Sequence, residues 1–125
     1  MEIRFTPREL DIMGVLWTDG PSTVAEVREA LEDDLAYNTV LTMLKVMEGK
    51  GYVSRSREGR ADRYTSEVER VAAGASALGR VTERLFGGSP EELLLRLVDS
   101  GLDSDELRRM RDLLDRRLRD MEDDR

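Results

Sequence analysis

The chain has 125 residues, 38% of them charged and 39% hydrophobic, with 20 Lys and Arg against 27 Asp and Glu for a formal charge of -7. It contains neither Cys nor His, which excludes zinc fingers, iron–sulfur clusters, disulfide scaffolds, thiol or imidazole nucleophiles and Ser–His–Asp triads. Apolar runs are short and no basic segment precedes an apolar stretch at the N-terminus, so a cytoplasmic protein without membrane insertion is expected.

Helix-start signals recur along the chain. Thr6-Pro7-Arg8-Glu9, Thr23-Val24-Ala25-Glu26, Ser66-Glu67-Val68-Glu69 and Ser89-Pro90-Glu91-Glu92 each place a hydroxyl three residues before a Glu, the spacing of a capping box. The first helix carries Leu10, Met13, Leu16 and Trp17 on one face and stops at Asp19-Gly20-Pro21. Val24, Val27 and Leu31 mark a short second helix. A third runs from about Tyr37 to Glu48, with Val40, Met43, Leu44 and Met47 inward. The pattern then changes to two short strands, Tyr52 to Arg57 and Asp62 to Thr65, joined by a turn at Glu58-Gly59-Arg60-Ala61. Helices resume from about Glu67 to Phe86, Pro90 to Asp99, and from Asp103 or Ser104 onward, the last with near-heptad spacing. The fold expected is mostly α: a winged helix-turn-helix domain over residues 1–66, with three helices and a β-hairpin wing, then a helical dimerisation region over residues 67–125.

DNA binding needs local positive charge, because phosphates supply most of the affinity. Residues 36–65 hold six basic and three acidic side chains, a charge of +3 that leaves -10 for the rest of the chain. On a helical wheel Asn38, Thr42 and Lys45 lie opposite the apolar face of the third helix, with Thr39 and Val46 on one flank and Leu41 and Glu48 on the other. In a helix-turn-helix this surface meets base edges. Asn pairs with adenine, Thr contacts several bases, Lys takes guanine or phosphate, and Leu41 suits a thymine methyl. The same face also suits a merely solvated helix. Arg55 and Arg57 share a face of the first strand, Arg60 sits in the turn and Arg63 on the return strand, where they would hold phosphates or reach the minor groove. A charged edge hairpin kept soluble is the alternative. Thr23 opens the second helix, either as a phosphate contact or only as a cap. Core packing is expected for Tyr64.

The C-terminal half has 11 basic and 15 acidic residues and is no nucleic-acid surface. Its apolar residues are too dense for one amphipathic stripe. Phe86, Leu93, Leu94, Leu97, Val98, Leu107, Met110 and Leu114 are expected to form a homodimer interface, with packing onto the N-terminal domain as the alternative. Two-fold symmetry also matches a palindromic operator. No acid/base pair stands out, no Gly-rich phosphate loop is present, and neither catalysis, a cofactor nor a bound metal is expected. The rival reading is a winged-helix protein-interaction module whose Leu-rich tail docks another chain.

Several stretches together resemble the penicillinase-repressor family, the BlaI/MecI group of winged-helix transcriptional repressors. They are Thr6 to Glu9 with Leu10, Met13 and Leu16-Trp17; Thr23-Val24 with Glu26-Val27; Tyr37-Asn38-Thr39-Val40-Leu41-Thr42-Met43-Leu44; Lys50-Gly51-Tyr52-Val53; and Gly59-Arg60 with Tyr64. The resemblance implies a dimeric repressor on a double-stranded palindromic operator. It implies recognition-helix contacts at Asn38, Thr39, Thr42, Lys45 and Val46, and wing contacts at Arg57 and Arg60. In the family, a membrane sensor with a metalloprotease domain triggers cleavage of the C-terminal region at an Asn-Phe bond. Arg96-Leu97 stands at the matching place here. Val46 replaces a basic residue of the well-known members. A copper-responsive branch of the family carries a C-terminal cysteine cluster, which this chain lacks.

Overall fold

The computed structural model describes residues 2–124. In chain order the elements are α1 (Pro7–Asp19), β1 (Ser22–Thr23), α2 (Val24–Ala30), α3 (Tyr37–Gly49), β2 (Val53–Glu58), β3 (Ala61–Ser66), α4 (Arg70–Leu85), α5 (Pro90–Val98) and α6 (Ser104–Asp123). Three helices followed by a hairpin make a winged helix-turn-helix, and helices dominate the chain. One compact unit ends at Gly79 and a second begins at Arg80, within α4.

The starts of α1 and α2 follow from their first residues. Thr6 accepts the Glu9 backbone N–H while Glu9 accepts that of Thr6, and Thr23 and Glu26 repeat the exchange. Both ends of each box satisfy amides that the helix itself leaves orphaned. Gly20 closes α1 at φ 80, donating its N–H to the Leu16 carbonyl, a backbone conformation that glycine adopts without a Cβ penalty. The hairpin turns through Gly59 and Arg60 alone. Gly59 has φ 63 and Arg60 does not have a positive φ, the arrangement of a type II′ turn.

The sheet is antiparallel in the order β1-β3-β2. The β1 pairing, Ser22 with Tyr64 and Thr23 with Arg63, was not foreseen from the sequence, because two residues carry no periodicity. It seats the start of α2 against the wing. The core of this unit gathers Ile12, Met13 and Leu16 of α1, Val24 and Val27 of α2, Val40, Leu44 and Met47 of α3, and Tyr52, Val53, Tyr64 and Val68. Fully burying one such aliphatic side chain stabilises by about 1.5–3 kcal/mol.

Three expectations need correction. On α1 the inward face is Glu9, Ile12, Met13 and Leu16, whereas Leu10 is 50% exposed. The face is turned by about one position because Glu9, an acid, is admitted to it by a partner far along the chain, Lys50. Ser66 does not open a helix. It pairs with Val53 at the end of β3, and the following Glu67 N–H donates to the Tyr52 carbonyl, so the chain stays extended and α4 starts only at Arg70. At α5 only half of the expected box forms. Ser89 accepts the Glu92 N–H, but Glu92 pairs with Arg96 at 2.8 Å.

The second unit takes in the end of α4 together with α5 and α6, and α5 and α6 each start on a side-chain cap. Asp103 and Glu106 form a third complete capping box. Among the described residues, none of α5 or α6 is buried.

Candidate nucleic-acid interface

The 3.6-residue period of α3 puts Val40, Leu44 and Met47 inside. Asn38, Thr39, Thr42, Lys45 and Val46 are therefore exposed, along one side of the helix. Leu41 is half-buried and packs against the core, so only part of its side chain is free for a contact. Ala36 precedes α3 without a side-chain cap, unlike Thr6 and Thr23. Thr23 is half-buried and its hydroxyl is engaged as the cap of α2.

The wing sorts its arginines by strand alternation. Val53, Arg55 and Arg57 share a face with their cross-strand partners Ser66, Tyr64 and Asp62. The inner end of this face is the buried pair of Val53 and Tyr64, and its outer end is charged. Arg55 lies 3.5 Å from Asp62 and 3.5 Å from Glu48 of α3. Arg57 lies 3.8 Å from Asp62. Arg63 occupies the opposite face. It pairs with Glu58 at 2.6 Å and with Glu26 at 3.2 Å, and donates to the Pro21 carbonyl at 2.9 Å, lacing the wing to the start of α2. Arg60 sits at the tip. Among the described residues, Lys45 and Arg60 take no ion pair, while Lys50, counted in the basic segment, is committed to Glu9 at 2.8 Å.

Electrostatics follow this pairing. The Thr23 backbone N–H and hydroxyl hold the Glu26 carboxyl below its usual range, assisted by the Arg63 charge. The hydrogen bond to Glu58 raises Arg63 further, so it stays charged throughout. Burial pushes the Tyr64 phenol up, keeping it neutral at the foot of the charged cluster. Elsewhere in the unit a groove between α1 and the end of α2 is lined by Asp11, Asp19, Glu32 and Asp33 and is acidic.

The structure thus brings Asn38, Thr39, Thr42 and Lys45 together on α3, and Arg55 and Arg57 together on one wing face. It separates Arg63 from them. Sequence reasoning missed that Glu48, Glu58 and Asp62 pair with Arg55, Arg57 and Arg63 of the wing. The only signal was their presence in the same thirty-residue count. In the second unit Leu94, Leu97, Val98, Leu107 and Leu114 are exposed on α5 and α6. Leu93 of α5, Met110 of α6 and Phe86, before α5, are half-buried.

A family model described as penicillinase repressor matches residues 5–116. The transcriptional regulator BlaI of Mycobacterium tuberculosis is 37% identical over 96 residues, covering 74% of this chain and 61% of that protein. An uncharacterized 16.5 kDa protein of Latilactobacillus sakei is 26% identical over 96 residues, covering 75% of this chain and 66% of its own length. The chain therefore spans less than two thirds of the length of these relatives. Among solved structures, the monomeric form of Bacillus licheniformis BlaI in complex with the blaP half-operator is similar at TM-score 0.50 and 26% identity, covering 58% of this chain and 90% of that one. A MarR family protein from Bacillus stearothermophilus is similar in fold at TM-score 0.53 and 21% identity, covering 95% of this chain and 76% of that one.

Proposed function

Because this chain belongs to the penicillinase repressor family, we propose that it is a DNA-binding transcriptional repressor acting as a homodimer on a palindromic operator. The observation that carries this reading is the surface of α3 and the wing. Polar side chains suited to base edges (Asn38, Thr39, Thr42) stand beside Lys45 on one exposed helix face, in a domain whose hairpin tip offers Arg60. Winged-helix geometry sets such a helix into the major groove and lets the wing follow the backbone. The similarity to a BlaI solved with a half-operator supports the same docking for this chain.

In this reading Asn38, Thr39 and Thr42 read bases, with Val46 and the free part of Leu41 available to thymine methyls. Lys45 and Arg60 hold phosphates, joined by Arg55, Arg57 and Arg63 when they leave their carboxylate partners. Residues through Ser66 carry the contacts, and residues 67–125 supply the dimer. The support for dimerisation is that α5 and α6 hold no fully buried side chain in the single chain while exposing Leu94, Leu97, Leu107 and Leu114. A symmetric partner covers such a face and spaces two recognition helices for paired half-sites. Arg96 and Leu97 lie in the last turn of α5, so cleavage there through a membrane sensor protease would require α5 to open first.

The test is selection from a pooled random-duplex library at two salt concentrations, with Lys45→Ala and Arg60→Ala beside the parent. A palindrome is expected to emerge. Each substitution should weaken binding and flatten the salt dependence by about 0.9 in log–log slope for each phosphate no longer held. Failure of a folded, dimeric parent to enrich any sequence or to bind salt-dependently would overturn the reading.

A further inference from the structure

The wing is not a free basic surface. Its acids are placed one to a gap: Asp62 lies between Arg55 and Arg57, at 3.5 Å and 3.8 Å, and Glu48 reaches Arg55 from α3 at 3.5 Å. Asp62 is the direct cross-strand partner of Arg57 and the diagonal neighbour of Arg55, so the antiparallel register itself puts its carboxylate between two guanidiniums. A carboxylate and a phosphate offer a guanidinium the same fork of two oxygens. Side chains at this site remain partly open to water, with Asp62 26% exposed and Arg57 70% exposed. Ion pairs so placed are weak and exchangeable.

We propose that Asp62 is an internal competitor for DNA phosphate on the wing, holding Arg55 and Arg57 in a carboxylate pair that a phosphate must displace. This rests on the DNA-binding reading above. On any duplex the phosphate competes with Asp62 for the two guanidiniums, so the wing's share of affinity is held down. The cost of freeing the arginines belongs to the protein and is the same whichever duplex takes them. It is met in full where base contacts from α3 hold the backbone against the wing, and is at most as large on a scrambled duplex.

The experiment compares the parent with Asp62→Asn, which keeps size and removes the charge. Glu69→Gln has the same change in net charge at an exposed site outside the cluster. In the double variant Asp62→Asn/Arg57→Ala, one of the two arginines to be released is gone. The probes are a scrambled short duplex and the duplex that the parent enriches most. For Asp62→Asn, affinity for the scrambled duplex is expected to rise about tenfold, with a salt slope steeper by about 0.9 for each phosphate gained. Affinity for the enriched duplex should rise by at least as much, because the wing is fully engaged there. Glu69→Gln should behave as the parent, and the double variant should lose the part of the gain that Arg57 supplies. An equal rise in Glu69→Gln would reduce the effect to net charge and overturn the proposal. So would a fall in scrambled-duplex affinity for Asp62→Asn, which would make Asp62 a positioning residue for the arginines. A parent without salt-dependent duplex binding overturns the DNA-binding reading first. A parent that binds, with Asp62→Asn unchanged, overturns this proposal alone.

Discussion

Glu9 shows how one residue can be both a local cap and a long-range tie. Its side chain accepts the Thr6 N–H and the Lys50 ammonium, and it is 6% exposed. Burial pushes its carboxyl up, but the Lys50 hydrogen bond, the Thr6 N–H and the Lys50 charge outweigh this and leave it below its ordinary value. A carboxyl that is more acidic in the folded state adds stability above its unfolded-state value, and that stability is lost as pH falls through the folded value. Urea unfolding across acidic pH should therefore show a steeper loss in the parent than in Glu9→Gln. At neutral pH Lys50→Met should cost about 1–2 kcal/mol, because it leaves the carboxylate buried without its ammonium. Parallel acid limbs in parent and Glu9→Gln would contradict the assignment.

At the scale of elements, α2 is held in place twice. Thr23 caps it, and Arg63 grips Glu26 and the Pro21 carbonyl from β3. The cap and a phosphate contact make different demands on Thr23. Thr23→Ala removes both and should cost about 1 kcal/mol of stability. Thr23→Asp keeps a capping oxygen but adds a negative charge facing the proposed phosphate. It should melt near the parent and bind duplex more weakly than Thr23→Ala. Equal duplex affinity in the two variants would leave Thr23 a cap and nothing else.

The first unit of the molecule closes its own core around Ile12, Leu44, Met47 and Tyr64, whereas α5 and α6 leave Leu94, Leu97, Leu107 and Leu114 exposed. Helices of 9 and 20 residues with no buried side chain gain little from burial in isolation. Sedimentation of the parent should give two copies, and Leu97→Asp or Leu114→Asp should shift it to one. Loss of the second half-site should then weaken operator binding far more than binding to a single half-site. A monomeric parent that still binds a palindrome tightly would refute the symmetric arrangement.

What the sequence by itself determined was local in origin. Capping at Thr6 and Thr23, the breaks at Gly20 and Gly59-Arg60, and the apolar period of α3 depend on residues within a turn or two of each other. They were legible without coordinates, and so were the winged-helix order and the polar face of α3. The exceptions, Leu10 for Ile12 on α1 and the false start at Ser66, arose where a distant group decided. Lys50 is 41 positions from Glu9, and Val53 pairs across the hairpin with Ser66. Tertiary structure alone decided the electrostatics of the wing. Composition counts charges, but whether Arg55, Arg57 and Arg63 are free or held depends on strand register and on which acid the fold brings within a few ångströms. Glu26 lies 37 positions from Arg63, and no local pattern links them. Coulombic pairing acts over distance in space, and sequence records only distance along the chain.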